Sequence, residues 1–142
     1  MACGLMLALC TGGCSTFNRD WRSAAAAPPP ENAFSGRWEG SWLSAVNGHH
    51  GKLRCLVTPI DGSQFRARFK ATYWKIFRVS YAVNMQGAPE SAGALNFRGE
   101  TDLGWWGGGV YRYDGNATPT NFFSIYQSKY DHGTFRLTRP EK

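Results

Sequence analysis

Residues 64–73, QFRARFKATY, constrain the fold more tightly than any other stretch of the chain. Phe65, Ala67, Phe69, Ala71 and Tyr73 alternate with Gln64, Arg66, Arg68, Lys70 and Thr72. Successive side chains of a strand point to opposite faces, so a slip of one residue would drive Arg66, Arg68 and Lys70 into a core. The register is therefore determined, and the segment reads as a strand with one dry and one wet face. Seven further runs carry the same period of two: 36–44, 50–58, 77–85, 95–100, 110–114, 122–128 and 134–139. Turn residues separate them, at Asn47-Gly48, Asp61-Gly62, Asp114-Gly115-Asn116 and Asp131-His132-Gly133, with 87–93 as a loop. No helix of ten residues is expected.

Eight short strands joined neighbour to neighbour hide their apolar faces best by closing on themselves, which also removes exposed edges. The expected architecture is all-β, an eight-stranded antiparallel up-and-down barrel over 34–140. A chain of 142 residues suits one such domain, and 17 Gly suit its many turns and close strand contacts. The inward face would carry Trp38, Trp42, Phe65, Phe69, Tyr73, Phe77, Tyr81, Phe97, Tyr111, Tyr113, Phe122, Tyr126 and Phe135. An eight-stranded barrel is about wide enough for its own side chains or for one small ligand. A filled core is one expectation. The other is a cleft near one mouth, because Gly40, Ala67, Ala71, Gly99, Gly109, Ser124 and Ser128 share the same face. Its ligand-binding residues would be Trp42, Phe69, Tyr73, Tyr111 and Tyr126, with Trp105 and Trp106 on a Gly-rich bend as a lid or platform.

The first residues, MACGLMLALCTGGC, are apolar and small, and too short a run to span a bilayer. The ending TGGC followed by Ser15 resembles a bacterial lipobox. That resemblance implies a signal peptide over 1–13, acylation of Cys14, with Cys10 the weaker competitor, and sorting to the outer membrane. The lipid would then be the membrane contact. Of the four cysteines only Cys55 would remain unmodified, as a small buried hydrophobe without a disulfide. Residues 14–33, with Ala and Pro tracts, read as a flexible tether.

Gly36-Arg37-Trp38 at the head of the first strand resembles the GxW signature of the lipocalin and wider calycin superfamily. The resemblance implies a calycin-like barrel whose bottom is closed by an Arg of the last strand laid across the Trp. Arg139 has the matching position and parity for Trp38.

Net charge is +6, with the cations spread from Arg19 to Lys142 and never in a run, which argues against a nucleic-acid footprint. Arg66, Arg68 and Lys70 would offer their wet face to an acidic envelope partner. No carboxylate or Cys stands at ligand spacing beside His49, His50 or His132, and no motif frames Asp131-His132 with Ser124 or Ser128 as a hydrolase. No catalytic, metal or cofactor residue is therefore designated, and Asp131 reads as a turn residue. The expected function is a lipid-anchored envelope protein whose barrel binds a small apolar or amphipathic ligand. The competing expectation is a filled barrel serving as an interaction or assembly module.

Overall fold

The computed structural model of the chain describes residues 11–90 and 93–141, without the side chains of 11–15 and Trp106. Most of the expected signal peptide, the Cys14 side chain and the Trp106 side chain lie outside the described residues. Eight strands follow one another around a closed barrel: β1 Gly36–Ser44, β2 His50–Asp61, β3 Gln64–Tyr73, β4 Phe77–Pro89, β5 Leu95–Asp102, β6 Val110–Ala117, β7 Asn121–Gln127 and β8 His132–Thr138. Each strand pairs antiparallel with its neighbours, and β1 pairs with both β2 and β8, so the sheet has no free edge.

In β3 the burial pattern follows the period of two: Phe65, Ala67, Phe69 and Ala71 are buried while Arg66 is exposed. Phe77 and Val79 keep the inward parity of β4 yet are exposed, because the β3–β4 hairpin rises past the end of the barrel. On the wet face, cross-strand ion pairs Glu39–Arg54, Arg112–Glu100 and Arg98–Asp114 lie at 3.7, 3.1 and 3.9 Å.

Three turns fall elsewhere than the sequence suggests. Gly87 lies inside β4, Gly115 inside β6 and Gly133 inside β8. These glycines make room rather than bend the chain. A Cβ at Gly115 would collide with the Phe123 carbonyl oxygen and meet the Phe97 ring at 2.5 Å, one at Gly87 would meet Leu95 and Phe65 at 2.8 and 2.9 Å, and one at Gly133 would collide with the Leu43 carbonyl oxygen and meet the Tyr126 hydroxyl at 2.7 Å.

The expectation of no helix is overturned by α1, Thr11–Ala26, which also replaces residues 14–26 of the expected tether. Phe17, Trp21 and Ala24 stand at i, i+4 and i+7, one helical face, and pack with Leu56 on the outside of β2. The Ala tract favours the helix, and Pro28 ends it by disfavouring helical backbone at the residue before it. Arg37 and Arg54 lie over the Trp21 ring, and Arg68 and Lys70 over Phe17. Arg68 donates to Asp20 at 2.6 Å and Lys70 to Asn18 at 2.9 Å. Two of the three cations expected to meet an acidic partner are thus engaged by the chain's own helix. The guanidinium of Arg68 pulls the Asp20 carboxyl below its ordinary value, with Arg19 adding to the effect.

The barrel bottom is solid. Phe34, fully buried just ahead of β1, stacks on Phe97 at 4.6 Å and meets Phe65 edge-on at 5.0 Å. Trp38 donates its indole N–H to the Phe34 carbonyl at 2.9 Å. The Arg139 guanidinium lies 3.7 Å from the Trp38 ring centroid and donates to the carbonyls of Ser35, Arg37, Ala33 and Pro119. Gly36 is required beneath it: its φ is +103°, and a Cβ there would sit 2.9 Å from Nη1 of Arg139. Burial pulls the guanidinium down to about 10, which leaves it charged at neutral pH.

Arg139→Met should cost about 3 kcal/mol, since it removes the cation from the Trp38 face and leaves half-buried carbonyls without a donor. Urea denaturation should show a lower midpoint with an unchanged slope, and Arg139→Lys should fall between the two. A midpoint within experimental error of the parent would show that the closure is dispensable.

Candidate functional site

The opposite end of the barrel is not filled. The floor residues occupy only the lower half of the interior, and above Phe69 and Phe135 the wall turns from Phe to Tyr. There the hairpins β1–β2, β3–β4 and β7–β8 and the connection through α2, Gly104–Gly107, surround a cavity of about 290 Å³. Its walls are Trp42, Tyr73, Tyr81, Tyr111, Tyr113, Tyr126 and Phe135, with Leu53, Ala71, Val79, Leu103 and Gly107 between them and Asp131 at one side.

Each ring is placed by strand parity and fixed by a neighbour. Trp42 donates its indole N–H to the Thr72 carbonyl at 3.2 Å and packs at 4.5 Å from the Tyr73 ring. Tyr126 lies 5.1 Å from Phe135 and 6.2 Å from Tyr111. Tyr81 and Tyr113 stack on Phe69 below, at 5.3 and 6.1 Å.

Asp131 closes the β7–β8 turn. Its backbone N–H donates to Ser128 Oγ, and its carbonyl accepts the Ser128 N–H at 2.7 Å. The side chain does something further: Oδ1 accepts the Ser44 hydroxyl at 2.6 Å and Oδ2 accepts the Tyr126 hydroxyl at 3.1 Å. A carboxylate therefore stands among phenols, tying β8 to the end of β1.

The environment is dry enough to hold the phenols protonated. Burial is the first cause of the raised values of Tyr73, Tyr81, Tyr113 and Tyr126, and the negative charge of Asp131 adds to it at Tyr73 and Tyr126. Lower in the barrel, burial likewise pushes the Cys55 thiol up, which suits an inert core residue.

Of the residues that sequence singles out for ligand contact, Trp42, Tyr73, Tyr111 and Tyr126 line the cavity. Phe69 does not: it is fully buried beneath it, covered by Tyr81 and Tyr113. Trp105 does not either, being 83% exposed on α2, whose Gly107 and preceding Leu103 face the cavity instead. Among the small inward residues expected to leave space, only Ala71 lines it. Sequence reasoning passed over Asp131 because DHG fits a turn so well. The signal that reveals it is three-dimensional, the return of the β7–β8 turn to Ser44 at the end of β1. Among the described residues no group of His, Cys, Asp or Glu converges as a metal site.

Above the ordinary tyrosine value near 10, the cavity phenols stay protonated in the fold but ionise in the unfolded chain. The unfolded state then binds fewer protons, so stability falls as pH rises past 10. Ultraviolet titration should show phenolate absorbance short of the full amplitude for six Tyr near pH 10, with the remainder appearing on unfolding. Full amplitude near pH 10 without loss of structure would mean that the phenols are solvated.

The site rests on its own geometry, since no protein-family model matches the chain and no curated protein or solved structure is significantly similar to it.

Proposed function

We propose that the chain is a lipid-anchored protein of the cell envelope whose barrel takes up a small apolar or amphipathic ligand at its open end. The observation that carries the ligand reading is the aromatic cavity of about 290 Å³ above a closed floor. Ligand pockets of proteins run from about 300 to 1,000 Å³, so this one suits a small molecule or one end of a longer one. The rest of an amphiphile would leave over a rim that is itself apolar. Val46, Trp74, Ile76, Phe77, Trp105 and Val110 are all exposed at this end, Ile76 by 74%. A cluster of exposed apolar side chains marks a binding surface more often than a chance scatter.

The anchor rests on TGGC and on the physics of acyl chains, each buried CH₂ contributing ~0.8 kcal/mol to membrane binding. Among the described residues no helix is long and apolar enough to cross a bilayer. Because α1 is docked on the barrel wall from Phe17 onward, the segment that would link an acylated Cys14 to the barrel is held against that wall rather than forming a long tether. The competing reading, a filled barrel that recruits an acidic partner through β3, has less behind it: Arg68 and Lys70 are held by Asp20 and Asn18.

Native mass spectrometry of the full chain with medium-chain alcohols and acids should show one-to-one adducts, and Ala71→Phe, which fills the cavity, should remove them without lowering thermal stability by more than a few degrees. A parent protein that stays unliganded throughout would refute the ligand reading. In cells, a clickable palmitate analogue should label the chain, and Cys14→Ala should abolish the label. Equal labelling of the variant would move the anchor elsewhere.

A further inference from the structure

The cavity carries a sign of charge opposite to that of the molecule. The chain has 16 Lys and Arg against 10 Asp and Glu, yet among the described residues no Lys or Arg lines the cavity and Asp131 is the one charged residue that does. The nearest cation in the same turn, Lys129, lies over the Tyr130 ring, and neither residue is among those lining the cavity. Among the described residues Asp131 forms no ion pair; its two hydrogen-bond donors, Ser44 and Tyr126, are neutral hydroxyls. A carboxylate has about four lone-pair positions, so two such bonds leave it able to accept more.

Trp42, Tyr73, Tyr111 and Tyr126 line the same cavity as this carboxylate, and Tyr126 is hydrogen-bonded to it. Aromatic faces carry negative charge density, and rings grouped about one point attract a cation without hydrogen-bonding to it. Such a site suits a quaternary ammonium in particular, which has no N–H to donate and is weakly hydrated. For an anion the same walls are unfavourable, since its charge would face Asp131 and the ring faces with no Lys or Arg to answer it. The cavity volume, about 290 Å³, is that of on the order of ten waters at ~30 Å³ each, enough for a trimethylammonium group with a short stem.

We propose that the cavity is an ammonium site: its ligand presents an amine or quaternary ammonium group to Asp131 within the aromatic box of Trp42, Tyr73, Tyr111 and Tyr126. The assignment rests on the ligand-binding reading above and adds to it the chemistry of the headgroup. An uncharged or anionic amphiphile is then a poor ligand, whatever its chain.

Choline and its uncharged carbon isostere, 3,3-dimethylbutan-1-ol, have nearly the same shape, and titrating each into the full chain isolates the charge. With the Trp42 indole N–H resonance as reporter, choline should bind about tenfold more tightly than the isostere, and hexanoate more weakly than either. Asp131→Asn keeps the oxygen that accepts from Ser44 while deleting the charge; it should abolish the preference and leave the isostere's affinity unchanged. Tyr73→Leu, at the partly buried edge of the box, should weaken choline several-fold in a protein that remains folded. Equal affinity for choline and the isostere, or a preference for hexanoate, would overturn the ammonium assignment while the apolar-ligand reading stands. Failure of choline, the isostere and the medium-chain probes alike would overturn both.

Discussion

Everything above the barrel floor depends on one interaction, the Arg139 guanidinium laid on Trp38 and shared among the carbonyls that precede and begin β1. It joins the last residues of the barrel to the first, where the sheet closes through the β1–β8 ladder. The charge of the guanidinium is compatible with its half-buried place because every direction it faces offers negative density: a ring face on one side, carbonyl oxygens on the others. Gly36 follows from it, since a side chain there would occupy the space of Nη1 and the backbone is in the left-handed region. So does Phe34, whose carbonyl accepts the Trp38 indole and whose ring completes the aromatic plug with Phe65, Phe97 and Phe122. A solid floor is what allows the other end to be hollow without the barrel collapsing.

The legible part of this fold was the alternation. β1 and β3 have the bounds the pattern gives, and the inward parity of Trp38, Trp42, Phe65, Phe69, Tyr113, Phe122, Tyr126 and Phe135 follows from it directly. Glycine was the main source of misreading. At Gly87, Gly115 and Gly133 it stands in a strand to admit a neighbouring side chain or backbone carbonyl, and no local pattern distinguishes that use from a turn, because the group it admits comes from another strand. The helix was hidden for a different reason. Phe17, Trp21 and Ala24 show the helical period, but the Ala and Pro tracts that follow read as low complexity, and the partner that stabilises the helix, Leu56 among the wet-face cations of β2 and β3, looks from sequence like an odd apolar residue on the wrong side of a strand.

That odd residue explains how the outside of the barrel is managed. A run of Arg37, Arg54, Arg68 and Lys70 on adjoining strands would repel itself if left in water. Instead the aliphatic stems and charged heads frame an aromatic stripe of α1, with Asp20 pairing Arg68 and Glu39 pairing Arg54. A partly exposed ion pair such as Asp20–Arg68 contributes little alone. The burial of Phe17, Trp21 and Leu56 provides the stability, and the charges fix where the helix lies.

The same separation of tasks governs the interior. At the floor a cation lies between the Trp38 ring and backbone carbonyls; at the mouth a partly exposed carboxylate accepts from the hydroxyls of Ser44 and Tyr126. Both ends therefore place a charge beside aromatic rings, but among the described residues only the floor contains the cation that completes the arrangement. At the mouth the rings and Asp131 are assembled around space, and the phenols, raised by burial and by the carboxylate, stay neutral so that the negative charge remains on Asp131 alone. The barrel thus carries at its base, within its own chain, an instance of the cation recognition for which its open end has the complementary half.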